Sequence, residues 1–376
     1  MSKSLPQKQL WQLSMAIISA ITFGLGSCAA SPTSSSVEST EAESTDTEVA
    51  AASEDELQVV TTFLPITQFT MAVAGDRAEV VQLLPLNVGP HDYQAKPGDA
   101  QAIANADVLV KNGLEMEFFL DDLIENAGNA DLMIIDSSEG VATVANLKEE
   151  DSHEHEHDHE HSEGEDHEHA EAAHEHDHGE LNPHIWLDPK RVITQVENIR
   201  DGLIAADPEG AAEYTANAAA FIEELQALDA EITERLAPFA GQTFVVFHDF
   251  VPYFAESYDL QSEVLVDIPE ENPSPEDVKR VMEVVQAAGL KTILAEPQAG
   301  ETAFGAIASD LDINVSIFDP LETGGSEALQ PGYYLTVMRQ NVENLASSFE
   351  ASDQVQMPLW MSQPVATTPQ RVGLWF

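Results

Sequence analysis

Between Glu149 and Glu180 the chain carries ten of its 13 histidines and 15 acids, no Lys or Arg, and almost no large apolar residue. Such a stretch cannot bury enough apolar area to offset the entropy of ordering its backbone, so no core includes it. Whatever folds must be built from the two flanks, with this segment as a mobile insertion. Its regular alternation also generates spurious motifs. His153 to His157, His155 to His159 and His174 to His178 all fit the H-E-x-x-H pattern of zinc proteases. That pattern works only on an ordered helix whose apolar face puts both imidazoles on one side. Nothing here supplies that face, and the protease reading is rejected.

The flanks have a different texture. Val59–Phe63, Val80–Leu84, Val108–Val110 and Leu132–Ile135 read as short buried strands, with helical segments at Ala100–Ala106 and Phe118–Ala127. After the insertion, Asp188-Pro189 caps a helix to about Ala206. Asp207-Pro208 repeats the device and opens a longer helix to about Leu236. Its stripe Phe221, Leu225, Leu228, Ile232 and Leu236 recurs at helical spacing. A second alternating run follows, with strands at Thr243–Phe247, Val264–Val266, Thr292–Leu294 and Val315–Ile317. A helix runs from the Ser274 cap to Ala288 and is stopped by Gly289. Strands alternating with helices predict an α/β fold of two lobes, each with a mostly parallel sheet.

The ends read differently again. Residues 1–28 have a basic start, a short apolar stretch and a small-residue ending, which describe a secretory signal rather than a membrane span. The signal ends in Leu25-Gly26-Ser27-Cys28, which resembles a lipoprotein lipobox, with Cys28, the only cysteine of the chain, as the lipidated residue. Residues 29–56, with eight acids and no base, form an acidic, disordered tether. The expected organisation is signal 1–28, tether 29–56, first lobe 57–206 with the insertion 149–180, linking helix 207–238, second lobe 239–350 and an irregular tail 351–376. With 67 acids against 15 bases the net charge is −52, which excludes nucleic acid and an anionic membrane surface as main partners. Setting aside the tether, the insertion and the signal leaves 44 acids against 13 bases, so the body itself is near −31. A field of that sign draws cations.

Subtracting the insertion leaves three histidines: His91, His184 and His248. Singly, each has a structural explanation, as a turn residue, a strand-edge residue and a core imidazole satisfied by a carbonyl. Jointly they sit in loops at strand ends, where α/β domains gather ligands. Three neutral imidazoles suit zinc and other late first-row metals, whereas magnesium and calcium require oxygen. A carboxylate or water completes such a set. Asp319, after the last strand-like run, is the candidate, with an Asp-Pro turn as its alternative role. Glu296 occupies a similar strand end and is assigned to orienting a histidine.

In order, Asn87–Tyr93, Lys111–Glu115, the His/acid insertion, Asn182–Pro189, Phe247-His248-Asp249 with Tyr253-Phe254, Ala295–Gln298 and Asp319-Pro320-Leu321 resemble the metal-binding solute-binding proteins of bacterial ABC importers. The match is specifically to the zinc-uptake (ZnuA-type, TroA-like) branch and covers roughly residues 58–348. The resemblance implies two lobes bridged by one long rigid helix, with Zn2+ as transported ligand between them on His91, His184, His248 and Asp319. It implies no enzymatic activity. It also implies an exported monomer at the periplasm or cell surface, attached to the membrane only through a lipid at Cys28. The partners would be a membrane permease and its cytoplasmic ATPase. In the manganese branch a carboxylate usually stands where His248 does. One departure is visible: the family commonly has glycine after the leucine, where this chain has Glu322.

The insertion histidines His153, His155, His157, His159, His161, His167, His169, His174, His176 and His178 form an auxiliary, weak zinc collector on this reading. The rivals are a manganese- or iron-delivering relative, a surface adhesin, and a zinc hydrolase with Glu296 or Asp249 as base. No recognised catalytic motif supports the last.

Overall fold

The computed structural model describes residues 56–91, 93–145, 181–266, 273–297 and 301–356. The signal, Cys28, the tether, the insertion histidines and the tail beyond 356 lie outside the described residues. In chain order the elements are β1 (Leu57–Thr61), α1 (Leu64–Ala74), β2 (Ala78–Gln82), α2 (Pro97–Ala104), β3 (Val108–Lys111), α3 (Leu120–Ala127) and β4 (Met133–Asp136). Then come α4 (Pro189–Ala206), α5 (Ala211–Leu236), β5 (Thr243–Val246), α6 (Pro252–Ser257), β6 (Gln261–Val264), α7 (Pro275–Ala288), β7 (Thr292–Ala295), α8 (Glu301–Leu311), β8 (Asn314–Ile317) and α9 (Tyr333–Gln356). No helix among the described residues is long and apolar enough to cross a membrane.

Two four-stranded parallel sheets result, ordered β2-β1-β3-β4 and β6-β5-β7-β8. The second half repeats the topology of the first. Parallel strands need crossover helices on their faces, so the central strands are the buried ones, as Val108-Leu109-Val110 and Thr292–Ala295 are. In β5 the alternation separates two apolar clusters. Phe244 and Val246 join the large one, while Val245 joins a smaller one with Val281 and Val285 of α7 and Phe304 of α8.

The long helix α5 has 26 residues, about 39 Å at 1.5 Å per residue. Its buried stripe Tyr214, Ala218, Phe221, Leu225, Leu228, Ile232 and Leu236 packs on α1 and α4 of the first half and α9 of the second. Asp207, ahead of it, accepts hydrogen bonds from the Gly210 amide, Arg77 and Tyr214. The turn at Pro208–Gly210 is thereby a 3-10 turn, and the regular α-helix starts at Ala211.

Some sequence expectations shift. Strand β6 lies three residues earlier than Val264–Val266, because Gln261–Val264 is the stretch that pairs with β5. Residues 351–356, expected as irregular tail, continue α9. Its last turns are anchored by the Lys291 amide donating to Ser352 Oγ at 3.1 Å. Helix α1 has no amphipathic stripe to read, since Leu64, Ile66, Phe69 and Val73 are buried together with Thr67 and Thr70 on its other sides. It starts from Phe63 without a side-chain cap, with Pro65 in its first turn.

Candidate metal centre

Four loops at the carboxyl ends of strands meet between the two sheets. His91 follows β2, His184 lies between β4 and α4, His248 follows β5 and Glu322 follows β8, so each half supplies two side chains. Their donor atoms all lie within 4.8 Å of one another. The Nε2 atoms of His91 and His184 are 3.2 Å apart. Glu322 Oε1 is 3.4 Å from His91 Nε2, 3.5 Å from His184 Nε2 and 3.7 Å from His248 Nε2. Metal–ligand bonds of 2.0–2.1 Å at tetrahedral angles give donor–donor edges of about 3.3 Å. Four of the six donor–donor edges, from 3.2 to 3.7 Å, are close to that length, so the four side chains could hold an ion of this size.

Each ligand loop has a local reason for its course. Asn112 donates to the Pro183 carbonyl at 3.0 Å. Asn112 is itself held by the buried Glu117, which accepts from the Asn112 and Gly113 amides and the Thr62 hydroxyl. His184 then leads into a 3-10 turn (Ile185–Leu187) that ends on Asp188, the N-cap of α4. Trp186, fully buried beside His184, donates to the Pro320 carbonyl at 2.8 Å and accepts at its own carbonyl from Tyr334. His248 is oriented by Glu296, whose Oε1 is 2.6 Å from Nδ1. The two remaining loops are tied together by the Gly324 amide, which donates to the Leu86 carbonyl at 2.7 Å.

Asp319, the expected fourth ligand, is not part of the cluster. Its Oδ1 accepts the Leu321 amide at 2.8 Å, and its own amide and carbonyl are both held by Asn341 of α9. It closes an Asp-Pro turn in which Leu321 adopts φ 64°, and that turn aims Glu322 inward. The residue that stood out as a departure from the family pattern is therefore the one whose carboxylate joins the three histidines. Asp319, Glu322 and Glu296 all lie close to one another here, and the sequence alone could not say which one the turn directs into the cleft.

Burial sets the electrostatics. His184 is fully buried and its pKa is pulled down to about 3, chiefly by desolvation, so its imidazole is neutral and available. Burial pushes the Glu322 carboxyl up, but the facing histidines outweigh it and hold the group well below the usual carboxylate range. Burial likewise opposes a charge on His248. The carboxylates of Glu296 and Glu322 overcome it and raise its pKa well above the usual imidazole value. Asp319 is pushed up to about 6 by burial and by the neighbouring Glu322 and Glu296 charges.

A pH dependence follows. Without metal, His248 carries a proton that balances two carboxylates, and a metal ion must displace it. Apparent affinity should then fall by about tenfold per pH unit below the raised His248 pKa, one proton being exchanged. Glu296→Gln removes the nearer charge, so the His248 pKa drops and the fall starts at lower pH. The weaker orientation costs a further ~10–100-fold at neutral pH. Chelator-competition titrations from pH 5.5 to 8 read both effects, and a variant curve superposing on wild type would refute the assignment of Glu296.

A family model described as zinc-uptake complex component A, periplasmic, matches residues 59–348. The zinc-binding protein AdcA of Streptococcus pyogenes serotype M3 is 31% identical over 307 residues, 81% of this chain and 58% of AdcA. The chain thus spans under three fifths of that relative's length. The manganese-binding lipoprotein MntA of Halalkalibacterium halodurans is 28% identical over 294 residues, 77% of this chain and 88% of MntA. Among solved structures, the Zn(II)-bound ZnuA-like domain of Streptococcus pneumoniae AdcA superposes with TM-score 0.62. It is 27% identical and the match covers 78% of this chain and 98% of that one. The laminin-binding protein Lmb of Streptococcus agalactiae, described as having adhesin and metal-transporting activity, gives TM-score 0.64 at 26% identity, covering 78% and 99%. With a match over well over half its length, and a repeated parallel topology that carries three histidines and a glutamate at strand ends, the chain belongs to the family of zinc-uptake component A proteins.

Proposed function

We propose that the protein is an exported zinc-capture protein. It holds Zn2+ between its two halves on His91, His184, His248 and Glu322 and hands it to the membrane permease of an ABC importer, which a cytoplasmic ATPase drives. The observation that carries this reading is the convergence of three imidazole nitrogens and one carboxylate oxygen at tetrahedral spacing. Four protein donors fill a zinc shell, which favours holding the ion over activating a water on it. A hydrolytic zinc keeps one position open, so capture rather than catalysis fits the donor count. The family model's description and the names of the AdcA relatives point the same way.

Cys28 as lipid anchor would keep the body at the membrane through the acidic tether, in line with the relatives named as lipoproteins. The insertion histidines would raise the local zinc concentration near the cleft. A closed shell gives up its ion slowly, so release requires the permease to distort it on docking.

A manganese cargo is the second reading, raised by MntA. Nitrogen-rich donors argue against it, since manganese prefers carboxylate, carbonyl and water. Titration of the metal-free mature protein against zinc, manganese and iron(II) should place zinc at least about 100-fold tighter than manganese. Equal or tighter manganese binding would reassign the cargo.

A further inference from the structure

The segment before His184 contains a fully buried side chain that the capture reading leaves unused. Asn182 has no exposed surface and satisfies every polar group it owns. Its backbone amide donates to the Val144 carbonyl at 3.0 Å, and its carbonyl accepts the Tyr253 hydroxyl at 2.5 Å. Its side-chain Oδ1 lies 3.0 Å from the His184 amide nitrogen and 2.9 Å from His184 Nδ1. Its Nδ2 donates to the Asp249 carbonyl at 2.8 Å and to Asp249 Oδ2 at 3.2 Å.

We infer that Asn182 is a positioning residue that fixes which ring nitrogen His184 offers to the ion and couples that choice to the His248-bearing loop of the opposite half. The inference rests on the reading that His184 is a zinc ligand. The orientation of the amide is settled by its surroundings. One end faces a backbone N–H, which only an oxygen can accept, and the other faces two oxygens, which only an NH2 can serve. Oδ1 can therefore only accept, and the His184 proton resides on Nδ1. The lone pair is left on Nε2, the atom that faces His91 Nε2 and Glu322 Oε1. The opposite tautomer would set two acceptors against each other in a buried site, an unmade hydrogen bond of the costly kind. Asp249 adjoins His248, so one amide group ties a ligand of the first half to the ligand loop of the second. A metal-binding imidazole is usually oriented by a carboxylate or a backbone carbonyl. Here a neutral side-chain amide does the orienting and spans the cleft.

The test uses the full mature protein and zinc alone as ligand. Four variants are compared with wild type: Asn182→Ala, Asn182→Asp, the double variant Asn182→Asp with Asp249→Asn, and His184→Ala. Two quantities are read: zinc affinity by chelator competition, and the ring tautomer of His184 by long-range 1H–15N NMR of histidine-labelled metal-free protein at pH 8. Asn182→Ala should weaken zinc by ~10–100-fold and shift His184 toward the Nε2–H form. Asn182→Asp keeps an acceptor toward Nδ1 and should keep the Nδ1–H form, while its carboxylate faces that of Asp249 and affinity falls. The double variant restores the side-chain donor–acceptor pair across the halves, though not the contact to the Asp249 carbonyl, and should recover part of the affinity lost in Asn182→Asp. An Asn182→Ala protein with wild-type tautomer and affinity within twofold of wild type would overturn the proposal. So would an Asn182→Asp protein in the Nε2–H form, which decides alone should the alanine variant not fold. His184→Ala separates the two levels: unchanged zinc affinity there would overturn the ligand assignment itself.

Discussion

His248→Ala is expected to weaken zinc binding by roughly 10²–10³-fold. Apparent binding energies of structural zinc sites, about 10–16 kcal/mol for four donors, average about 2.5–4 kcal/mol per donor, and each 1.4 kcal/mol is about tenfold in affinity. The substitution also has a cost in the metal-free protein. The imidazole lies 2.6 Å from Glu296 and 3.7 Å from Glu322, all three being buried. Without it Glu296 loses its imidazole partner, and Glu322 keeps only His91 and His184. Breaking a buried ion pair by removing one partner costs about 3–5 kcal/mol. Denaturant unfolding of the metal-free variant should show a loss of that order, partly recovered on adding zinc, because the ion supplies the missing positive charge. Zinc affinity and stability both unchanged would remove His248 from the site.

The second large effect separates two acids three residues apart. Glu322→Gln keeps the shape of the side chain and discards the anionic donor, so zinc should bind roughly 10²–10³-fold more weakly, by the same sharing of binding energy. Asp319→Asn keeps an oxygen for the Leu321 amide and therefore the turn that aims Glu322. Its effect should stay below about tenfold, at the low end of what orienting partners contribute. The ratio between the two variants is the decisive quantity. A larger loss from Asp319→Asn would make Asp319 the donor and Glu322 its neighbour.

Much of this molecule was legible from its residues. The three histidines outside the insertion mark the loops that meet, and Glu296 stands at the strand end from which it reaches His248. The double α/β architecture follows from strands such as Val108–Val110 and Thr292–Leu294 alternating with well-capped helices such as α7. What escaped the sequence has physical causes. Helix α1 is buried on nearly all sides, so it shows no 3.6-residue stripe. Strand β6 is polar at three of its four positions, Gln261-Ser262-Glu263, and the apolar Val264–Val266 beside it has the stronger strand pattern. The choice of Glu322 over Asp319 depends on Leu321 taking a left-handed conformation that non-glycine residues seldom adopt. Asn341, more than twenty residues away, holds the turn that allows it. No local pattern announces such a turn.

The larger apolar cluster does not stop at the boundary between the halves. It runs from Val59 and Val110 through Phe221, Leu225 and Leu228 of α5 to Phe244, Leu294 and Phe349. The two sheets therefore share one body of buried apolar surface. Residues of either half that belong to this cluster cannot loosen without withdrawing buried surface from the other half. A change confined to the donor loops leaves this shared surface in place, whereas a change in how the two sheets sit against each other has to repack it.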